Sequence, residues 1–144
     1  MEAYSAVMAI AHEIKHVRRA VALTGAGISE ESGIGTFRGR DGLWSKYDPE
    51  LVASIESFRE DPGEFWKFAR EIGWAFLRAQ PNAAHQGLAE LERLKRLDCL
   101  ITQNIDGLHQ RGDSRRVIEI DGNVQRVCCT MCGASYATWR FWMI

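Results

Sequence analysis

The feature that most constrains this chain is a short apolar run, Ala20-Val21-Ala22-Leu23-Thr24, that stops at Gly25-Ala26-Gly27. So short a run, with no polar residue on either alternating face before Thr24, reads as a buried parallel strand, and the glycines read as a tight turn at its carboxyl end. Cys99-Leu100-Ile101-Thr102 and Val117-Ile118-Glu119-Ile120 repeat the pattern. Between the first two lie helical segments. Asp48-Pro49-Glu50 and Asp61-Pro62-Gly63-Glu64 each place an acidic residue before a proline, the usual opening of a helix, and predict helices over about 49 to 59 and 62 to 79. Pro81-Asn82 breaks the chain, and the spacing of Leu88, Leu91 and Leu94 predicts a third helix from Ala83 to Lys95. Strands alternating with helices imply an α/β fold around a parallel sheet. The stretch from Ile28 to Asp48, rich in glycine and arginine, predicts a long loop ordered by its contacts or by a ligand.

Composition narrows the function classes. With 144 residues, 46% of them hydrophobic, the chain can bury a core of one modest domain. The formal charge is −1 and its charges are dispersed, so no basic surface tracks a phosphate backbone and nucleic-acid binding has no support. Near the N-terminus Val7, Ile10, Ile14 and Val17 recur at helical spacing, while Glu2, His12, Glu13 and Lys15 interrupt any secretory apolar stretch, so the expectation is an amphipathic helix in a cytoplasmic protein. No run of about 18 apolar residues is present, so no membrane span is expected. Of the cysteines Cys99, Cys128, Cys129 and Cys132, three crowd together, which suits a reducing compartment and a metal better than a disulfide framework.

A Gly-x-Gly after a strand lets backbone amides approach a pyrophosphate, because side chains there would block the contact. A plain tight turn fits those glycines equally well. Glu30 stands where the ordinary dinucleotide fingerprint has its third glycine, which argues against a dehydrogenase using nicotinamide for hydride transfer. The continuation is more specific. It runs Gly25-Ala26-Gly27-Ile28-Ser29-Glu30-Glu31-Ser32-Gly33-Ile34-Gly35-Thr36-Phe37-Arg38-Gly39 and then Asp41-Gly42-Leu43-Trp44, and a second block reads Thr102-Gln103-Asn104-Ile105-Asp106-Gly107-Leu108-His109. With both blocks in this order the chain resembles the sirtuins, NAD-dependent protein lysine deacylases, and most closely their short archaeal and bacterial members.

The resemblance implies a Rossmann-like parallel sheet, partial here with about three strands and flanking helices, plus a helical insertion and an incomplete zinc-ribbon module. Residues 1–48 and 80–122 would form the NAD-binding part, 49–79 the insertion and 123–144 the start of the zinc module, all within one truncated catalytic domain. Gly25, Ala26, Gly27, Ser29, Thr36, Phe37, Arg38, Trp44, Gln103, Asn104, Ile105 and Asp106 would line the NAD site. Arg38 would contact phosphates, Phe37 would shield the reactive ribose carbon, Gln103 and Ser29 would bond ribose hydroxyls or phosphate, and Ile105 would hold the carboxamide. Asn104 and Asp106 would be the polar pair that steadies charge developing on the ribose as nicotinamide leaves. Their position after a strand also fits a plain helix cap. His85 and His109 read as structural hydrogen-bonding residues. The implied substrate is an acyl-lysine protein or peptide.

Two departures stand out. Where the family has a catalytic histidine before a glycine, this chain has Asp121 before Gly122. A carboxylate, with an ordinary pKa of about 3.9 against about 6.5 for imidazole, is a weaker base, and loss of a general base commonly costs about 100-fold to 10,000-fold. Deacylation would be impaired, and a catalytically silent NAD or ADP-ribose binding module is the alternative. The second departure concerns zinc: Cys129 and Cys132 form one C-x-x-C, and a tetrahedral site needs two further ligands, usually about 15 to 20 residues on. The sequence supplies half a site, and reduced structural thiols fit the same residues.

Overall fold

The computed structural model describes residues 2–17, 19–36 and 42–142. Three parallel strands, β1 (Val21–Thr24), β2 (Cys99–Thr102) and β3 (Val117–Glu119), form one sheet in the order β1-β2-β3. The register pairs Leu23 with Ile101 and Ile101 with Ile118, and Thr24 pairs with Thr102. Ladder-like bonds continue past the strands, from Gln103 N to Thr24 O at 3.1 Å and from Ile120 N to Thr102 O at 3.0 Å, so Gln103 and Ile120 extend the ladder at the carboxyl edge and Asp121 follows directly.

Helix α1 (Glu2–His16) precedes the sheet, and α2 (Pro49–Val52), α3 (Ile55–Glu60), α4 (Pro62–Arg78) and α5 (Ala83–Arg93) fill the connection from β1 to β2. The expected helix over 49 to 59 is divided, because Ser54 in an extended conformation caps α3 by accepting from Ser57 N. Asp48 and Asp61 cap α2 and α4, with the proline at N1 or N2 of each helix as the sequence predicts. Helix α5 ends at Arg93 rather than Lys95, because Lys95 has a φ of 57° and leaves the helical region. After β2 come the short α6 (Leu108–Arg111) and β3, then an antiparallel hairpin of β4 (Arg126–Cys128) and β5 (Ser135–Ala137), and α7 (Trp139–Trp142).

The sequence reads the strands as buried on both faces. The described residues cover only one. Successive side chains alternate across a strand, so Val21, Leu23, Ile101 and Ile118 share a face, and Val21, Leu23 and Ile118 on it are 54% or more exposed. The opposite face holds Leu100 and Thr102, which are buried. Beyond that covered side the core gathers Ile34, Phe76, Ala79 and Leu108, with Ile72, Ile105 and Val124 packed against it. Fully burying a side chain such as Leu108 contributes about 2 kcal/mol, and here it pins the loop after β2 to α4.

Candidate functional site

The site lies outside the carboxyl ends of the strands, where open α/β sheets place their ligands. Directly after β1, Gly25 is the extended N-cap residue of a 3-10 helix spanning Ala26–Ser32, whose exit at Gly33 has a φ of 83°. A Cβ on Gly25 would come 3.3 Å from Gln103 Oε1, so this position packs closely against the side chain of the residue that follows β2. Gly107, inside the second sequence block, has a φ of 69°, a dihedral that favours glycine, and a Cβ there would also displace the flexible Gln125 amide, whose Nε2 lies 2.5 Å away.

Ser29, Asn104 and Asp106 come together from two segments far apart in sequence. The buried Ser29 hydroxyl donates to Asp106 Oδ2 at 2.7 Å and accepts from Asn104 Nδ2 at 3.2 Å. The other Asp106 oxygen accepts from Leu108 N at 2.8 Å, and Asn104 N donates to Thr102 Oγ1 at 3.0 Å. Asp106 therefore caps the turn into α6 with one oxygen and holds the Ser29 loop with the other. Asn104 shows no capping bond of its own. Its side chain turns to Ser29 instead.

A cavity of about 580 Å³ is lined by Ala26, Thr36, Trp44, Ala53, Gln103, Asn104, Ile105 and Asp121. It collects expected site residues from the ends of all three strands and from the loop after β1. Phe37 and Arg38, expected to shield and to bind phosphate, lie outside the described residues. A second cavity of about 360 Å³ shares Trp44, Ala53, Ile105 and Asp121 with the first and continues along α4, where Phe65, Trp66, Phe68, Ala69, Ile72 and Phe76 line it. Trp44 stacks on Phe68 at a centroid distance of 5.8 Å, joining the two spaces.

Gly25, Gly27 and Ser29 are not among the lining residues of either cavity. Ser29 is enclosed by Asn104 and Asp106, and Asp106 lines a separate cavity with Phe76, Leu77 and Arg111. The residues that sequence reasoning missed are Asn123, Val124, Arg126 and Thr138, which line the second cavity. Val124 N donates to Ile105 O at 2.8 Å, so the loop after β3 is laced to the loop after β2. No periodicity or motif marks these positions.

The histidines of the two sequence blocks are internal. His85 joins a reciprocal cap at the start of α5: Asn82 Oδ1 accepts from the His85 backbone while His85 Nδ1 accepts from Asn82 N. His109 Nε2 lies 2.9 Å from Thr24 Oγ1. Burial pushes the His109 imidazole down to about 4, with the neighbouring His85 adding to the effect and Asp106 opposing it. Burial lowers His85 as well, again against Asp106.

A family model described as the Sir2 family matches residues 25–141. The chain belongs to the Sir2 family. NAD-dependent protein deacylase 2 of Archaeoglobus fulgidus is 55% identical over 119 residues, covering 83% of this chain and 47% of that protein. The NAD-dependent protein deacylase of Aeropyrum pernix is 52% identical over 135 residues, covering 94% of this chain and 55% of the relative. Among solved structures, a mutant Sir2 homologue in complex with ADP-ribose superposes with a TM-score of 0.83 at 51% identity, covering 86% of this chain and 50% of that one. A Sir2 homologue–NAD complex does so at 0.77, again at 51% identity, over 86% of this chain and 48% of the other. This Sir2 chain thus spans about half the length of the curated relatives it matches, and its three-stranded parallel sheet with packed helices is part of the Sir2 Rossmann-like fold.

At the hairpin of the Sir2 chain, Cys129 N donates to Ala134 O and Gly133 N donates to Cys129 O, which folds Cys129 to Cys132 into a tight knuckle between β4 and β5. The Cys132 and Met131 amides and the Cys132 thiol lower the Cys129 thiol below its ordinary range, favouring the thiolate that a metal takes. Among the described residues no group of three or more His, Cys, Asp or Glu is placed to hold a metal ion. Cys99 belongs to β2, away from the knuckle. No helix among the described residues is long and apolar enough to cross a membrane.

Proposed function

We propose that this chain carries the NAD-binding part of a protein lysine deacylase, which transfers an acyl group from lysine to ADP-ribose and releases nicotinamide. The observation that carries the reading is the cavity in which Ala26, Thr36 and Trp44 from the loop after β1 meet Gln103, Asn104 and Ile105 from β2 and Asp121 from β3. A dinucleotide fits that donor set: Gln103 and Asn104 offer amide groups to hydroxyls, and Ile105 and Trp44 offer apolar faces to a ring. When bound, NAD supplies a glycosidic bond whose cleavage makes its ribose electrophilic.

The chain's own residues do the rest. Phe37 would shield the reactive ribose carbon, and Arg38 would be a charge-assisted donor to phosphate. Ile105 and Trp44 exclude water. Ser29 orients Asn104 and Asp106, and the polar pair is held before any ligand arrives, as preorganised electrostatic stabilisation requires. Asp121 takes the place of the base that would receive a proton from a ribose hydroxyl, and it lines the cofactor cavity and the cavity along α4 together, where an acyl-lysine side chain would enter. Residues 49–79 form the helical insertion that walls this acyl channel, and 123–144 begin a zinc module in which Cys129 and Cys132 supply half the ligands. No catalytic step passes through zinc. The presence of Asp121 favours a second reading, a module that binds NAD or ADP-ribose without deacylating. A cytoplasmic setting agrees with the free cysteines.

Calorimetry with NAD on the wild-type chain and on Arg38→Ala tests the shared core of both readings. The variant should bind about 1.5 to 3 kcal/mol more weakly. Equal affinities, or no heat from either protein, would overturn it.

A further inference from the structure

The loop that presents Asp121 to both cavities is closed by a single carboxylate, that of Glu119. Glu119 ends β3 opposite the buried Thr102, so its side chain leaves on the covered side of the sheet. There its Oε1 accepts from Gln110 Nε2 of α6 at 2.8 Å and from Asn123 Nδ2 of the loop after β3, which uses both lone pairs of that oxygen. The directions of these bonds have one solution. A carboxylate accepts, and Asn123 Oδ1 in turn accepts at 2.7 Å from Gln125 N, a group that only donates, so the Asn123 amide has a single orientation.

Asp121 hangs between two anchors. On one side Ile120 N donates to Thr102 O at 3.0 Å, and on the other Asn123 is tied to Glu119 while Val124 N donates to Ile105 O at 2.8 Å. Only Asp121 and Gly122 lie between, and Gly122, with a φ of 84°, makes the turn that brings Asn123 back over Glu119. Among the described residues the exposed Asp121 side chain makes no hydrogen bond, so its place is set by the backbone that carries it. Helix α6, at the other end of the Glu119 contact, begins at Leu108, whose N donates to Asp106 Oδ1. Glu119 therefore joins the turn that Asp106 caps to the loop that carries Asp121.

We propose that Glu119 is a positioning residue for Asp121, clamping the loop after β3 to α6 so that the carboxylate facing both cavities is in place before a ligand arrives. The functional consequence rests on the NAD-binding reading, and the clamp rests on hydrogen bonds alone. An anchored loop has already lost the conformational entropy that binding would otherwise have to remove, which is how preorganisation becomes affinity. Glu119 lines neither cavity, so it acts through Asn123 and Asp121.

Amide relaxation of the ligand-free 144-residue chain reads the clamp directly. Asp121 and Gly122 should be as ordered as Ile101 and Ile118 in the strands, with order parameters of about 0.85, and Glu119→Leu should drop them below about 0.6 while the strands are unchanged. Glu119→Gln, whose amide oxygen can accept from both partners, should keep the loop ordered. Should Glu119→Leu fail to fold, Asn123→Ala removes the loop's half of the clamp and leaves Gln110 on Glu119, and the same loosening is expected. A loop that is mobile already in the wild type, or as ordered in these two variants as in the wild type, would overturn the clamp. Calorimetry with NAD reads the consequence: the folded one of these two variants should bind about tenfold more weakly in the wild-type background and within about twofold in Asp121→Ala, where no carboxylate is left to place. Equal effects in both backgrounds, including none, would make Glu119 a structural residue and overturn its positioning role. A loop that loosens as expected in a chain that binds no NAD leaves the clamp standing and removes the proposed function.

Discussion

Asp106→Ala separates a site held together in advance from a loop with incidental polar residues. Its carboxylate is 4% exposed and receives two bonds, from Ser29 Oγ at 2.7 Å and from Leu108 N at 2.8 Å. Truncation strands a buried hydroxyl and a buried amide, each costing about 1 to 3 kcal/mol, while removal of a desolvated carboxylate returns part of that sum. The expected net loss is about 2 to 4 kcal/mol, a large fraction of the roughly 5 to 15 kcal/mol that holds a domain folded. With a urea slope of about 2 kcal/mol per molar, the unfolding midpoint should drop by about 1 to 2 M at constant slope. Asp106→Asn keeps an acceptor for Leu108 N but faces Ser29 with a second donor, so it should lose about half as much. Arg19→Ala, which breaks a solvent-exposed pair with Asp98 at 3.7 Å, should change stability by less than about 1 kcal/mol. A midpoint shift for Asp106→Ala no larger than that of Arg19→Ala would refute the claim that Ser29, Asn104 and Asp106 are pinned together before ligand binding.

Acid should destabilise the chain through its internal histidines. His109, held down to about 4 from an ordinary 6.5, stays neutral in the folded state while the unfolded chain takes up a proton, so the stability present above pH 6.5 is lost as pH falls toward 4, by up to about 3 kcal/mol from this group. Urea titrations from pH 7.5 to 4.5 should show that decline, and its full persistence in His109→Gln would assign it to other groups. For the chemistry, a chimera joining residues 1–144 to the unmatched half of the Archaeoglobus relative should gain about 100-fold or more in acyl transfer with Asp121→His, and should turn over acetyl-lysine peptides with a higher kcat/KM than succinyl-lysine peptides. The selectivity follows from Ala69 and Ile72 on the wall of the cavity along α4, with Arg126 Nε tied to Ser135 Oγ at 3.1 Å, and faster succinyl turnover would make Arg126 a partner for the anion.

By itself the sequence determined everything that depends on local pattern. Three apolar runs ending in turns specified the strands, since backbone pairing and side-chain alternation are properties of a few consecutive residues. Asp-Pro pairs specified the starts of α2 and α4 for the same reason. The two sequence blocks named the family and most of the residues around the 580 Å³ cavity, because close backbone approach and a fixed polar set demand particular side chains at particular spacings. What only the tertiary structure decided is how distant segments share their hydrogen bonds. Ser29 looks from sequence like a ligand-binding hydroxyl, yet it is enclosed between Asn104 and Asp106, some 75 positions away. The bare face of the sheet at Val21, Leu23 and Ile118 and the arrival of Arg126 and Thr138 beside Asp121 have the same origin. Each depends on which elements meet across the fold, and the free energy of such a meeting lies in pairs of residues that no window along the chain contains.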